Sequence, residues 1–368
     1  MRSRVQSAFE RLWYRDRGAP PYFFDLLLAP FLLAASLAYR AIASLRRFAY
    51  RTGLFHVHRL DVPVVSVGSL VVGGVGKTQV VIAIAERLAE MGHRPVVVLR
   101  GYKGRASRRG AIVSEGKGGP PILASRDAGD EAVEIAKRLP NVAVSIGADR
   151  VRAARRAVTL LGADVVVLDD GFQHVRLART LDIVVWDAGV ATRTLHLLPY
   201  GPFREPVSAV ARADLLVTVG QNPAVEPVAP RPSRALPLVA FTKVVEFRKL
   251  DGETIAAPTE TVSLLTTLAS PSRVVATLRS AGVSVLHHTV LPDHAVPRAI
   301  DVALLPAGPI VMTEKDATKI TPDFPRRGDM IVVRAGVSFL GSSGATLRNR
   351  LASLFEKQRN DPLRNAAN

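Results

Sequence analysis

The chain opens on a dense apolar block. From Tyr22 to Tyr39 it reads YFFDLLLAPFLLAASLAY, broken by Asp25 and Pro30, and its uncharged part falls short of the roughly 20 residues that cross a bilayer. Arg2, Arg4, Arg11, Arg15 and Arg17 precede the block; Arg40, Arg46, Arg47 and Arg51 follow it. A spanning helix usually gathers its basic residues on one side, so matched flanks favour a helix or hairpin that dips into one leaflet, with a single pass as the other option. A buried core helix is the competing reading. The long charged lead-in and the lack of a small-residue cleavage site argue against a signal peptide.

Beyond residue 50 the period changes. Short β-rich runs, at 62–68, 95–100, 142–145, 164–169, 182–186 and 214–219, alternate with helical patterns at 79–91, 130–139 and 149–161. That alternation predicts a mostly parallel sheet flanked by helices. Between Gln221 and Pro237 five prolines (Pro223, Pro227, Pro230, Pro232 and Pro237) predict a stiff, extended connection. After it, strand-like runs near 262–265, 283–290, 309–313 and 330–334 mix with helical stretches at 271–281 and 345–355. The expected organisation is therefore a membrane-associating segment at 1–50, an α/β core at 51–220, a linker at 221–237, a smaller α/β domain at 238–357 and a polar tail at 358–368.

Length supports two lobes with a cleft between them, since 368 residues exceed one ordinary domain. The net charge of +17, from 49 Lys and Arg against 32 Asp and Glu, favours anionic partners without choosing among nucleotides, nucleic acid and acidic lipid. The absence of cysteine excludes disulfides, thiolate zinc sites and cysteine nucleophiles.

The strongest chemical signal is VVGGVGKT, Val71 to Thr78, between the first strand and the first core helix. Gly73, Gly74, Val75 and Gly76 let backbone N–H groups turn around phosphate oxygens, Lys77 can reach the β and γ phosphates, and the Thr78 hydroxyl can hold Mg²⁺. The strict pattern has Gly where Val71 stands. The second signal is VVVLDDGFQH, Val165 to His174, an apolar strand ending in Asp169 and Asp170. One of the two acids is expected to serve the metal and the other a different task, because neighbouring side chains on a strand point to opposite faces.

Other motifs have ordinary readings when taken alone. RGYKGR (Arg100 to Arg105) suits a phosphate-bearing ligand or a solvated loop; Asp130 in AGDE reads as a helix N-cap; Asp293 and His294 in LPDH read as turn and surface residues. The run from Glu314 to Lys319 in MTEKDATK reads as solvated charge.

In order, GSLVVGGVGKT, RGYKGR, AGDE, LDDGFQH, LLPYGPFREP, LPDH and MTEKDATK make nearly the whole chain resemble the tetraacyldisaccharide 4′-kinase (lipid A 4′-kinase) family. The resemblance implies a P-loop fold and transfer of the ATP γ-phosphate, with Mg²⁺, to the 4′-hydroxyl of a tetraacyldisaccharide 1-phosphate. The product is lipid IVA, on the route to lipopolysaccharide, at the cytoplasmic face of the inner membrane. It also implies that Asp130 accepts the hydroxyl proton with help from His294, that Lys77, Thr78 and Asp169 serve phosphate and metal, and that Asp170 orients. Ser69, Val75, Gln79 and Lys103 stand where the family usually has Asn, Thr, Pro and Gly, and Ala295 follows His294 where an aromatic residue or histidine is common.

The competing function is a P-loop NTPase switch or metallochaperone-like GTPase; a nucleotide-dependent DNA- or membrane-positioning protein is a third class. No NKxD guanine-reading motif is present, since lysine and aspartate are adjacent in TEKD. The expected partners are the lipid substrate and the membrane surface, with no nucleic acid and no obligate protein partner.

Overall fold

The computed structural model describes residues 23–73, 75–188, 195–221, 229–230, 234–267, 271–292, 295–321, 323–325 and 327–359. Helix α1 (Phe23–Arg51) contains Pro30 and is long and apolar enough over Leu27–Arg51 to cross a membrane, with 6% of its most apolar window buried. One stripe of it packs on the protein: Ala29, Leu32, Ser36, Tyr39, Ala43, Arg47 and Tyr50 are buried or half-buried at helical spacing. The opposite face leaves Leu28, Phe31, Leu37, Ile42, Leu45 and Phe48 exposed. A core helix is thereby ruled out for this segment.

The remaining elements follow in chain order: β1 (Val64–Gly68), α2 (Lys77–Glu90), β2 (Pro95–Leu99), β3 (Ala111–Glu115), α3 (Ser125–Ala128), α4 (Asp130–Arg138), β4 (Ala143–Ile146) and α5 (Arg150–Leu161). Next come β5 (Val165–Asp169), β6 (Leu181–Asp187), β7 (Leu215–Gly220), β8 (Leu236–Lys249), β9 (Thr254–Ile255) and β10 (Val262–Thr266). The chain continues through α6 (Pro271–Ser280), β11 (Val285–Val290), α7 (Ala299–Ala303), β12 (Ile310–Thr313), α8 (Glu314–Ala317), β13 (Met330–Phe339) and α9 (Ser343–Arg359). Strands β1, β2, β4, β5, β6 and β7 are buried at every residue. This is why they read as unbroken apolar runs: helices cover both faces of a parallel sheet.

The 13 strands form a single sheet, in the order β11-β10-β12-β13-β8-β7-β6-β1-β5-β2-β4-β3, with β9 beside β8. It does not break at the proline-rich connection. β8 begins at Leu236, inside the expected linker, and Pro237 stands in register with Leu216 of β7. The first half of β8 pairs parallel with β7, and the strand then runs on past the end of β7 to pair antiparallel with β13. Strands β10, β11 and β12 run parallel to β13. Apart from β3, an antiparallel edge strand beside β4, the strands of the first lobe therefore run opposite to β10–β13 of the second, and the carboxyl ends of the two sets face each other.

Two apolar clusters sandwich the first-lobe sheet. One includes Val67, Ile84, Ile135, Val167 and Phe172, and the other includes Val96, Ala154, Val166 and Leu177. Smaller clusters around Leu264 and Met312 fill the second lobe, so each lobe has its own core although the backbone ladder is shared.

At the end of β1 the packing is tight. A Cβ on Gly68 would lie 2.5 Å from Phe172 Cβ and 2.7 Å from its backbone nitrogen, and neither Phe172, wholly buried, nor the backbone can yield cheaply. Gly68→Ala is expected to destabilise by about 1–3 kcal/mol. Thermal denaturation reads this as a lower Tm; an unchanged Tm would contradict the close packing.

Candidate active site

The loop from β1 to α2 is shaped by its glycines. Gly73 and Gly76 have φ of 112° and 81°, values that L side chains rarely adopt, and Gly76 caps α2 with no side-chain partner. The first N–H groups of α2 are thus left for an anion, with the helix dipole in its favour. Val75 is 2% exposed and anchors the loop in the core. Lys77 Nζ lies 3.2 Å from Ser69 Oγ and 3.4 Å from the Gly73 carbonyl, while Ser69 Oγ donates to the Val71 carbonyl at 2.8 Å. Serine thus serves where the family usually has asparagine. Thr78 lies in the first turn of α2 and lines the cavity; Gly74 is outside the described residues.

The paired acids differ, though not through strand alternation: Asp169 ends β5 and Asp170 lies beyond it. Asp169 is 5% exposed and its Oδ1 is buried without a hydrogen-bond partner. Burial, with the nearby charges of Glu131 and Asp170, pushes its carboxyl up to about 7. Asp170 has left the strand at φ 53°, where Arg204 Nη1 donates to both of its oxygens at 2.8 and 2.6 Å and Lys77 Nζ stands 3.6 Å away. Burial would raise the Asp170 carboxyl too, but Lys77 and Arg204 outweigh it and hold it at about 2. One acid is thus short of a cation and the other is already neutralised. A buried carboxylate oxygen with no partner, near a helix-borne hydroxyl at an anion site, fits a magnesium ion that shares its coordination with substrate phosphates.

Opposite them stands Asp130. It opens α4, but the cap is Gly129 and no side-chain capping bond forms, which corrects the N-cap reading. Its Oδ2 instead lies 3.5 Å from Lys319 Nζ. The Lys319 side chain is 3% exposed, and its Nζ also lies 2.7 Å from Thr267 Oγ1 and 3.6 Å from Asp316 Oδ1. Asp316, with no exposure at all, accepts from the Thr267 hydroxyl and from the Thr313 hydroxyl, the latter at 2.8 Å. The run from Glu314 to Lys319 is therefore not solvated charge. It is a buried network at the carboxyl ends of β10 and β12 that reaches across to the first lobe. The strand-to-helix break at Thr313, with Asp316 and Lys319 three apart, was the available signal. Asp293 and His294 lie outside the described residues.

The phosphate loop, the paired acids and Asp130 border one cavity of about 510 Å³, whose lining includes Lys77, Thr78, Asp130, Asp169 and Asp170 from the first lobe and Thr313 and Lys315 from the second. The volume suits a small-molecule site. Arg100, which the sequence offered for a phosphate-bearing ligand, does line the cavity, and Arg150 and Glu134, which no motif marks, line it too. Arg100 and Arg150 add positive charge to the wall. Glu134 accepts from Gln79 Nε2 at 3.2 Å, a bond that proline at 79 could not make, and burial with the neighbouring Glu314 pushes its carboxyl up to about 8. His174 is driven down to about 4 by burial and by Arg150. Glu314 ties the lobes together by accepting from Arg138 of α4 at 3.2 Å, and within its own lobe accepts from Arg334 of β13 at 2.7 Å. Lys103 adopts φ 61°, a left-handed backbone that glycine would adopt without strain.

The sequence model described as "Tetraacyldisaccharide-1-P 4′-kinase" matches residues 28–355. The chain belongs to this family. It is 42% identical over 335 residues to the tetraacyldisaccharide 4′-kinase of Anaeromyxobacter sp. strain Fw109-5, covering 86% of this chain and 88% of that one. It is 38% identical over 304 residues to the enzyme of that name from Alkalilimnicola ehrlichii, covering 81% and 85%. A crystal structure of the "apo" form of LpxK from Aquifex aeolicus in complex with ATP superposes with a TM-score of 0.73 at 28% identity, covering 90% of this chain and all of that one. The P-loop α/β fold and the kinase reading stand over the switch reading.

Because the folded protein binds a proton on Asp169 more tightly than an unfolded aspartate does, this group's stabilising contribution is complete below about pH 4 and is lost as pH rises through about 7. Asp169→Asn is therefore expected to raise Tm at pH 8, measured without magnesium or nucleotide, and the gain should shrink towards pH 4. An equal gain at both pH values would show that burial of the charge is not its source.

Proposed function

We propose that the chain transfers the γ-phosphate of ATP to the 4′-hydroxyl of a tetraacyldisaccharide 1-phosphate, giving lipid IVA and ADP, at the cytoplasmic face of the inner membrane. The observation that carries this reading is that the phosphate loop and Asp130, whose carboxylate is held by Lys319, share one cavity, in a chain whose family is named for this reaction.

The α2 N–H groups and Lys77 would hold the triphosphate, and Lys77 would neutralise charge on the phosphoryl group as it moves. Thr78 and Asp169 would hold Mg²⁺, which supplies Lewis-acid polarisation of the phosphate oxygens. Asp130, fixed by Lys319, would accept the proton of the 4′-hydroxyl as its oxygen bonds to phosphorus and the bond to ADP breaks. His294 would assist Asp130. Arg204 and Lys77 already neutralise Asp170, which suits it to orienting these cations rather than accepting a proton. The cavity lies between lobes, so closure would exclude the water that could otherwise consume ATP.

Helix α1 would deliver this cleft to the lipid. Its exposed face is apolar, whereas Ser36 donates to the Leu197 carbonyl at 2.9 Å, Tyr39 to the Arg204 carbonyl at 3.1 Å, and Arg47 to Glu205 at 2.9 Å. A helix held along the protein in this way favours a monotopic seat over a full crossing.

Lys77→Ala and Asp130→Asn are each expected to lower transfer of labelled phosphate from ATP to the lipid by about 10²- to 10⁴-fold, and His294→Ala should also lower it. Release of free phosphate with no labelled lipid would favour the switch instead. For the anchor, Phe31→Glu combined with Leu28→Glu should leave Tm unchanged and remove the protein from floating vesicles of acidic phospholipid; an unchanged bound fraction would reject the seat.

A further inference from the structure

Arg273 lies in α6 of the second lobe, yet its guanidinium reaches the phosphate loop of the first. It lines the cavity, is 9% exposed, and places Nη2 3.0 Å from where a Cβ on Gly76 would stand. Gly76 is the residue whose positive φ starts α2, so this cation sits at the edge of the anion site that the α2 N–H groups create. Its other contacts hold it there. Nη1 donates to Asp187 Oδ2, at the carboxyl end of β6, at 3.0 Å, and Nη2 donates to Thr242 of β8 at 3.3 Å. Asp187 is itself 4% exposed.

We infer that Arg273 is a nucleotide-binding residue through which the second lobe senses the nucleotide, its guanidinium bonding a phosphate oxygen beside Gly76 while sharing its charge with Asp187. The inference rests on the nucleotide reading of the phosphate loop and adds a role for a residue outside that loop. Three physical points support it. A buried guanidinium is costly unless anions compensate it, and the structure supplies one in Asp187 while a triphosphate would bring more. The planar fork of arginine can serve a carboxylate along one edge and a phosphate along another, which lysine does less well. And α6 belongs to the lobe that carries Lys319, so a phosphate that pulls on Arg273 would draw the Asp130 partner group into place together with it. Asp187 acts in this scheme as a competitor: it keeps the cation poised when no nucleotide is bound and gives up part of it on binding.

This competition predicts opposite effects for two variants, which a merely structural ion pair would not show. By isothermal titration calorimetry, Arg273→Gln is expected to weaken ATP binding by about 10- to 100-fold, as loss of a charge-assisted hydrogen bond implies, and Arg273→Lys to recover part of that loss. Asp187→Asn should bind ATP as tightly as the native protein or more so. Wild-type affinity in Arg273→Gln, or a parallel loss in both variants, would overturn the inference. Should either variant fail to fold, hydrogen exchange on the unaltered protein decides: ATP should protect backbone amides of 271–280, and protection confined to the first lobe would overturn it. If the unaltered protein does not bind ATP at all, the nucleotide reading itself fails, and that outcome is distinct from the others.

Discussion

The antiparallel pairing of β8 with β13 is the constraint on which the rest of the structure depends. Ligands of open α/β sheets collect at the carboxyl ends of the strands. One parallel sheet offers one such edge. Because β8 runs past β7 and takes an antiparallel partner, the second lobe is inverted and its carboxyl edge meets that of the first. The phosphate loop, Asp169 and Asp170 line one side, and Arg273, Thr313 and Lys315 the other. A bimolecular transfer needs two reactants held face to face, and the sheet provides the two faces from a continuous ladder of hydrogen bonds.

Charge within this enclosure is distributed unevenly. Cations from the first lobe (Lys77, Arg100, Arg150 and Arg204) crowd the phosphate side, while Asp169 keeps a buried oxygen with no partner. Like charges and a buried carboxyl oxygen with no hydrogen-bond partner are thus held together in a poorly solvated space. Such arrangements trade stability for preorganised electrostatics. The Glu314 link to Arg138 restores some cohesion between the lobes at the cavity wall.

Much of the fold was legible because parallel strands buried on both faces leave a simple trace. Val64–Gly68, Pro95–Leu99 and Val165–Asp169 stand out as apolar runs, and the glycine spacing before Lys77 marks the loop between the first strand and helix. β8 was not legible. It is 14 residues long, has a mixed burial pattern and carries Lys243, Glu246 and Arg248, so it follows no clean alternation and emerges directly from a proline-rich stretch. Within the site, local chemistry was readable and long-range pairing was not. Lys77 and the two acids of β5 announce themselves by sequence context. The partnership of Asp130 with Lys319, or of Arg273 with Asp187, depends on how distant segments are brought together by the inverted lobe. Read locally, these residues look like a cap, a charge run and a helix surface.

The seating of α1 has a further consequence. Arg47 binds Glu205, which also accepts from Gln173; the Gln173 side-chain oxygen in turn accepts from Arg204, the partner of Asp170. Helix α1 and the Arg204–Asp170 pair therefore share a bracing of hydrogen bonds, although the apolar helix is exposed along most of its length. Trimming the N-terminus to obtain a better-behaved soluble enzyme would remove struts from beneath the phosphate-binding wall, and a sluggish truncated protein should not be taken to show only that the bilayer is needed.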